Sequence, residues 1–194
     1  MMNGHKLETV WDIDSISSLL QRIHYRHTAK GLRSLSILSE HRSEGKTTLA
    51  MLIARGLSEI YKFKIILIDL NPEGDSLLSH YLKDAKDEVS HDGILKDNPF
   101  GFSIFRLKNI DMNWLKTSYD GLYTNQLINT FSEQYDLVIV DTYTNVNPGD
   151  SITNVNTNSN IVVCSNKSFE MHSNNLQKSL KNNRKEVLGI IFNK

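Results

Sequence analysis

The chain has 194 residues, of which 22 are basic and 22 acidic, so its formal net charge is zero. Its hydrophobic content of 39% and charged content of 23% are ordinary for a globular protein, and its length predicts one domain with short attachments. The balanced charge argues against nucleic-acid binding, the single cysteine excludes an internal disulfide, and no apolar run reaches the ~18 residues of a membrane span, so we expect a cytoplasmic protein.

Residues 1–30 precede the first predicted strand, and we interpret them as an N-terminal extension or interaction helix. Apolar side chains recur there at roughly helical spacing, at Ile13, Ile16, Leu19, Leu20 and Ile23. Basic side chains crowd its later part, at Arg22, His24, Arg26 and His27. A basic face would suit an interaction partner, and the alternative is a helix that packs on the domain with its charges in water.

The stretch from Ser34 to Leu57 predicts a strand, a polar loop and then a helix. Gly45 lets the backbone approach a phosphate closely, and the unpaired N–H groups at the start of the helix favour an anion. Lys46 can reach the outer phosphates, and the Thr47 hydroxyl can bind Mg²⁺. Glu40 departs from the usual phosphate-loop pattern, which has a small residue there. The predicted nucleotide contacts are Ser43, Glu44, Gly45, Lys46, Thr47 and Thr48.

Two later apolar runs each end at a carboxylate. The run over 64–70 contains Asp69 near its end, and the run over 135–141 ends in Asp141. Strands that are apolar on every residue are typical of parallel sheets covered on both faces, and ligands collect at their carboxyl ends. Asp141 therefore matches the Mg²⁺-organising acid of P-loop NTPases, and Asp69 is a candidate Mg²⁺ ligand or general base. The alternative is that each acid only ends its strand.

The remaining segments complete an alternation of strands and helices. Further strands are predicted over 102–107, 160–165 and 186–193, helices over 75–82, 111–134 and 169–182, and a loop with brief helix over 83–98. We expect Cys164 to be buried as a small hydrophobe. The side chains predicted to face the core are Leu49, Ile53, Leu57 and Ile60 in the helix after the phosphate loop, and Trp114, Leu115, Leu122, Leu127, Ile128 and Phe131 later. The predicted fold class is α/β, with a mostly parallel central sheet, helices on both faces and a P-loop nucleotide-binding domain over 31–194.

Several motifs follow one another along residues 34–193. They are EHRSEGKTT, ILIDLNPEGDSLLSHYL, YDLVIVDT, Gly149-Asp150 and VLGIIFN. This ordered set resembles the cytoplasmic ATPase domain of bacterial tyrosine kinases, within the ParA/MinD group of P-loop ATPases. Proteins of that family control the synthesis and export of capsule and exopolysaccharide.

The resemblance implies ATP and Mg²⁺ as cofactors and a role for each matched residue. It implies Lys46, Asp69 and Asp141 as catalytic residues, and Thr47, Asp69 and Asp141 as Mg²⁺ ligands. It also implies that Asn193 contacts adenine, and that Asp150 matches an acid beyond the Walker B strand. The implied partners are a membrane-embedded polysaccharide chain-length or export protein and further copies of the chain. The implied location is the inner face of the membrane, which this chain would reach through its partner without inserting into the membrane itself.

The sequence departs from the family at several positions. The second acid of the Walker A′ motif is replaced by Asn71, and the basic residue two positions later is replaced by Glu73. Prolines that often follow the Walker B acid are replaced by Tyr143 and Thr144. The family's oligomerisation helix falls near residues 18–25, where its acid is missing. The last tyrosine is Tyr143, so either the sequence stops short of the family's tyrosine cluster or self-phosphorylation on a tail does not occur.

Three functions stay open at this point. The first is an enzyme that binds MgATP and transfers phosphate to a tyrosine or to water. The second is a regulatory module that binds nucleotide and docks on a membrane partner in polysaccharide assembly. The third is a ParA/MinD-type switch that dimerises around ATP, although the lysine that such switches carry four residues before the loop glycine is His41 here, with Arg42 beside it.

Overall fold

A computed structural model describes residues 13–39, 41–71, 93–96, 100–106, 122–143, 155–165, 180 and 184–193. The strands are β1 (Ser34–Ser39), β2 (Ile65–Asp69), β3 (Ile94–Leu95), β4 (Ser103–Arg106), β5 (Leu137–Asp141), β6 (Ser159–Ser165) and β7 (Val187–Asn193). The helices within these ranges are α1 (Ile13–Lys30), α2 (Lys46–Tyr61) and α3 (Leu122–Ser132). No helix in the described ranges is both long and apolar enough for a membrane span.

The described strands form one seven-stranded sheet in the order β3-β4-β2-β5-β1-β6-β7. Every adjacent pair is parallel except β3 and β4, which are antiparallel. The prediction of a mostly parallel sheet is therefore confirmed. Because β2, β5 and β1 are neighbours and parallel, their carboxyl ends lie side by side at one edge of the sheet.

Helices cover both faces of the sheet, as predicted. Alternate residues of a strand point to opposite faces, so each apolar strand contributes to two cores. Leu67 and Ile139 belong to the core that contains α1 and α2, whereas Ile66 and Val138 belong to the core that contains α3. This arrangement explains why β2 and β5 have no polar face in their sequences.

Helix α1 packs on α2 through its apolar stripe. Leu19, Leu20 and Ile23 are buried, which confirms the helical pattern from Ile13 onward. Gly56 of α2 lies so close to Leu20 that a Cβ atom there would be 2.5 Å from Leu20 Cδ1. The contact between the two helices therefore depends on a residue with no side chain.

The basic residues of α1 contact other parts of the chain. Arg22 Nη1 donates a hydrogen bond to the Leu188 carbonyl at 3.2 Å, and Arg26 Nη1 lies 2.7 Å from Glu186 Oε1. His24 stacks on Tyr61, with ring centroids 4.2 Å apart. These contacts agree with the packing alternative for α1, while a separate role for residues 1–30 stays a prediction.

Two side chains predicted to face the core are exposed instead. Ile60 is 63% exposed although it continues the inward spacing of α2, and the neighbouring Tyr61 packs on the core in its place. Leu122 is 66% exposed because it lies on the side of α3 away from Thr124, Ile128 and Phe131, which are the buried residues of that helix.

The segment over 83–98 also differs from its prediction, because residues Ile94–Leu95 form the edge strand β3 where we expected loop and helix. A two-residue strand is too short to leave a periodic signal. Cys164 is buried, as predicted. The predictions for residues 75–82, Trp114 and Leu115 lie outside the described residues, as does most of the predicted helix over 169–182.

Candidate functional site

The phosphate-loop sequence joins β1 to α2 at the carboxyl edge of the sheet. Gly45 is the N-cap of α2 and has a left-handed backbone with φ 95°, which glycine adopts without strain. Ser43 is also left-handed, with φ 61°, in the exposed part of the loop, and Thr48 is half-buried in the first turn of α2. The N-cap offers no side-chain hydrogen bond to the helix start. A helix N-terminus of this kind favours an anion.

Lys46 points back into the loop and toward the acids. Its Nζ donates a hydrogen bond to Ser39 Oγ at 2.8 Å, and Ser39 Oγ in turn donates to the His41 carbonyl at 2.7 Å. Burial lowers the pKa of Lys46, while the charges of Asp141 and Glu44 oppose that shift. The lysine therefore lies in a poorly solvated position, where an anion would interact with it more strongly than in water.

Asp141 ends β5 and is 1% exposed. Its Oδ2 accepts a hydrogen bond from Thr47 Oγ1 at 2.6 Å, and its Oδ1 is buried with no hydrogen-bond partner in the described part of the chain. Burial raises the pKa of Asp141 to about 7, and the Thr47 hydrogen bond opposes this. A buried carboxylate oxygen with no partner costs free energy, so the arrangement suits a bound cation.

Asp69 lies beside Asp141, because the two residues are register partners in the parallel pair β2–β5. Its Oδ1 accepts the backbone N–H of Asn71 at 2.9 Å, and its Oδ2 is 4.0 Å from Arg106 Nε. No local sequence pattern predicts Arg106 here, and it lies beside Asp69 because β4 pairs with β2. The side-chain amide of Asn71 cannot replace the missing second acid as a base or as a charged ligand.

Two further hydrogen bonds hold the phosphate loop, one from a side chain within the loop and one from a side chain of β7. Glu44 is 3% exposed, and its Oε2 accepts the backbone N–H of His41 at 3.0 Å. Asn193, at the end of β7, donates from Nδ2 to the Glu44 carbonyl at 3.0 Å. The side chain predicted to contact adenine therefore reaches the phosphate loop itself.

The structure brings together the main predicted site residues. Lys46, Thr47, Asp69 and Asp141 all lie where β1, β5 and β2 end. Glu40, Glu73 and Asp150 lie outside the described residues. A cavity of about 240 Å³ lies at the opposite edge of the sheet, between the end of α1 and the start of β6, and contains none of the predicted site residues.

The donor set at this edge fits Mg²⁺ and a polyphosphate. The Thr47 hydroxyl and the Asp141 carboxylate are oxygen ligands, which Mg²⁺ prefers. Among the described residues, no group of three or more His, Cys, Asp or Glu side chains is placed to hold a metal alone. Mg²⁺ is commonly held by one or two protein oxygens together with substrate phosphates, and this edge offers that arrangement.

Comparisons with known proteins agree with this fold at low sequence identity. No protein-family model matches the sequence, and no curated protein matches it. The kinase domain of the Escherichia coli tyrosine kinase ETK superposes with a TM-score of 0.69 at 20% identity, over 93% of this chain and 74% of that one. The BceF tyrosine kinase domain gives 0.65 at 20% identity, over 92% and 76%.

A nucleotide-bound protein is also similar. The septum site-determining protein MinD of Pyrococcus horikoshii, complexed with Mg-ADP, gives a TM-score of 0.57 at 19% identity, over 82% of this chain and 69% of that one. These similarities establish the fold. The chain has the α/β P-loop fold of the ETK and BceF kinase domains and of this MinD protein.

Proposed function

We propose that this chain binds MgATP at the carboxyl edge of the sheet. The observation that carries the proposal is Asp141, whose buried carboxylate bonds Thr47 through one oxygen and has no partner on the other among the described residues. Lys46 would bind the outer phosphates, together with the backbone N–H groups of residues 43–48. Asn193 would lie beside the adenine.

The chemistry of such a site is mainly positioning and charge stabilisation. Bound Mg²⁺ would supply charge neutralisation for the phosphates. Thr47 and Asp141 would orient it from α2 and β5, and Lys46 would hold the phosphate chain from the loop. Asp69 is the candidate general base for an attacking hydroxyl or water, and Arg106 Nε lies 4.0 Å from its Oδ2.

The wider role we propose is a cytoplasmic nucleotide-dependent regulator of exopolysaccharide or capsule assembly, acting through a membrane-embedded partner. The fold shared with tyrosine kinase domains supports this role. Phosphate transfer to a protein tyrosine is one activity that would fit. A regulatory ATPase or nucleotide-binding module is the second candidate, and Asn71 favours it because an amide replaces the second acid.

A nucleotide titration tests the site. Lys46→Ala should weaken MgATP binding by about a hundredfold or more, because it removes a charge-assisted bond from a poorly solvated site. Asp141→Ala should weaken binding in the presence of Mg²⁺ and much less in EDTA. Lys30→Ala is the control, since it removes an exposed lysine at the far end of α1. If Lys46→Ala binds MgATP as tightly as the parent and has the same far-UV circular dichroism spectrum, the assignment of the nucleotide site is wrong.

Incubation with γ-³²P-ATP separates the two candidate activities. Label on a protein tyrosine would support the kinase, and release of inorganic phosphate alone would support the ATPase. ATP binding without either product would support a nucleotide-binding module. Lys46→Ala serves as the blank in each assay.

A further inference from the structure

Two residues at the mouth of this site contact each other although they are 101 positions apart in the chain. Arg42, in the phosphate loop, donates from Nη2 to Tyr143 Oη at 2.5 Å. Its guanidinium carbon lies 5.4 Å from the centre of the Tyr143 ring. Tyr143 follows β5 two residues after Asp141, so the contact joins the loop to the strand end that carries the acid.

The contact restricts an otherwise flexible cation. An arginine side chain loses substantial rotamer freedom when it is fixed, and a ligand that must fix it binds more weakly. Here the tyrosine hydroxyl and ring restrict the guanidinium before any ligand arrives.

The positive charge of Arg42 acts on Lys46 within the same loop. Burial is the main cause that lowers the pKa of Lys46, the charges of Asp141 and Glu44 oppose that shift, and the charge of Arg42 adds to it. Two like charges close together repel each other. A phosphate group that binds both cations would relieve this repulsion, because it supplies an anion of matching charge.

We propose that Arg42 binds the terminal phosphate of a nucleoside triphosphate within its own chain, and that Tyr143 is the positioning residue that holds it there. The inference rests on the proposed MgATP site and adds a second cation to it.

The first test compares MgATP with MgADP, using the full chain and equilibrium titration of each nucleotide. Arg42→Ala should weaken MgATP binding by about tenfold and MgADP binding by less than about twofold, because only the triphosphate reaches the arginine. The MgATP affinity of Arg42→Lys should lie between those of the parent and Arg42→Ala, since lysine keeps the charge and loses the planar donors. Arg33→Ala is the matched control, because that exposed arginine precedes β1 at the opposite edge of the sheet.

The second test asks whether Tyr143 acts through Arg42. Tyr143→Phe keeps the ring and loses the hydroxyl, so it should weaken MgATP binding by about twofold to fivefold, and Tyr143→Ala should cost more. In an Arg42→Ala background, Tyr143→Phe should have no further effect. A tyrosine with a purely structural role would weaken both nucleotides and would do so with or without the arginine.

The outcomes separate this inference from the proposed function. Equal losses for MgATP and MgADP in Arg42→Ala, or a Tyr143→Phe effect that persists without the arginine, would overturn the inference while the Lys46-dependent site stands. A parent chain that binds neither nucleotide, or a Lys46→Ala variant that binds as well as the parent, would overturn both.

Discussion

The Asp141 carboxylate is buried, and its Oδ1 has no hydrogen-bond partner among the described residues. The free energy of unfolding should therefore depend on whether this group is ionised. Because the folded-state pKa of about 7 lies above the ordinary value of 3.8, the folded protein holds a proton that the unfolded chain has already lost in that range. The free energy of unfolding of the nucleotide-free protein should therefore fall as the pH rises from 3.8 to about 7. The upper limit of this loss is about 4 kcal/mol.

Urea unfolding at a series of pH values measures this effect. Asp141→Asn cannot ionise, so its stability should vary less with pH than that of the parent. Asp14→Asn is the control, because it alters an exposed acid at the start of α1 and should keep the parent's slope. An identical slope in the parent and in Asp141→Asn would show that the carboxylate is ionised in the folded protein throughout this range.

The residues of the candidate site were predictable to different degrees. Lys46, Thr47 and Asp141 follow from local sequence, because a strand, a Gly-Lys-Thr helix start and an apolar strand ending in an acid each leave a short pattern. Arg106 and the partnership of Arg42 with Tyr143 depend on which strands are neighbours and where a loop folds back. No local pattern encodes those contacts.

At the level of elements, the closeness of α1 and α2 at Gly56 can be tested by a pair of substitutions. Leu20→Ala should cost about 3 kcal/mol because Leu20 is buried in the core. Gly56→Ala in that background should restore part of the loss, since its methyl group would occupy the vacated space and alanine favours the helix. Urea unfolding of the two single variants and the double variant measures the coupling.

A matched pair checks that this recovery is local. Thr130→Ala changes an exposed position of α3, so its effect should add to that of Leu20→Ala without coupling. Equal coupling in both pairs, or none in either, would contradict the close approach at Gly56.

The elements themselves were predicted well where the apolar pattern was clear. The strands around Asp69 and Asp141 were evident because every residue is apolar, which follows from the cores on both faces of the sheet. Errors occurred at element ends and in short elements. Ile60 follows the inward spacing of α2 but is exposed in its last turn, and β3 is too short to show any period.

At the level of the whole molecule, a ligand that binds only the folded chain should stabilise all of it. At MgATP concentrations 100-fold above the dissociation constant, the gain should be about 2.7 kcal/mol. For a domain of this size that corresponds to a rise in Tm of roughly 5–10 °C. Thermal unfolding followed by circular dichroism would measure it, and Lys46→Ala should show no rise.

The bond from Asn193 to the Glu44 carbonyl links the last strand in the described sheet order to the loop that would hold the phosphates. Any force that separates β7 from β6 would withdraw that amide from the loop. Mechanical strain at this margin of the sheet would thus reach the loop that we propose as the phosphate site. A protein that pulled on β7 would weaken nucleotide binding at that proposed site without contacting the loop.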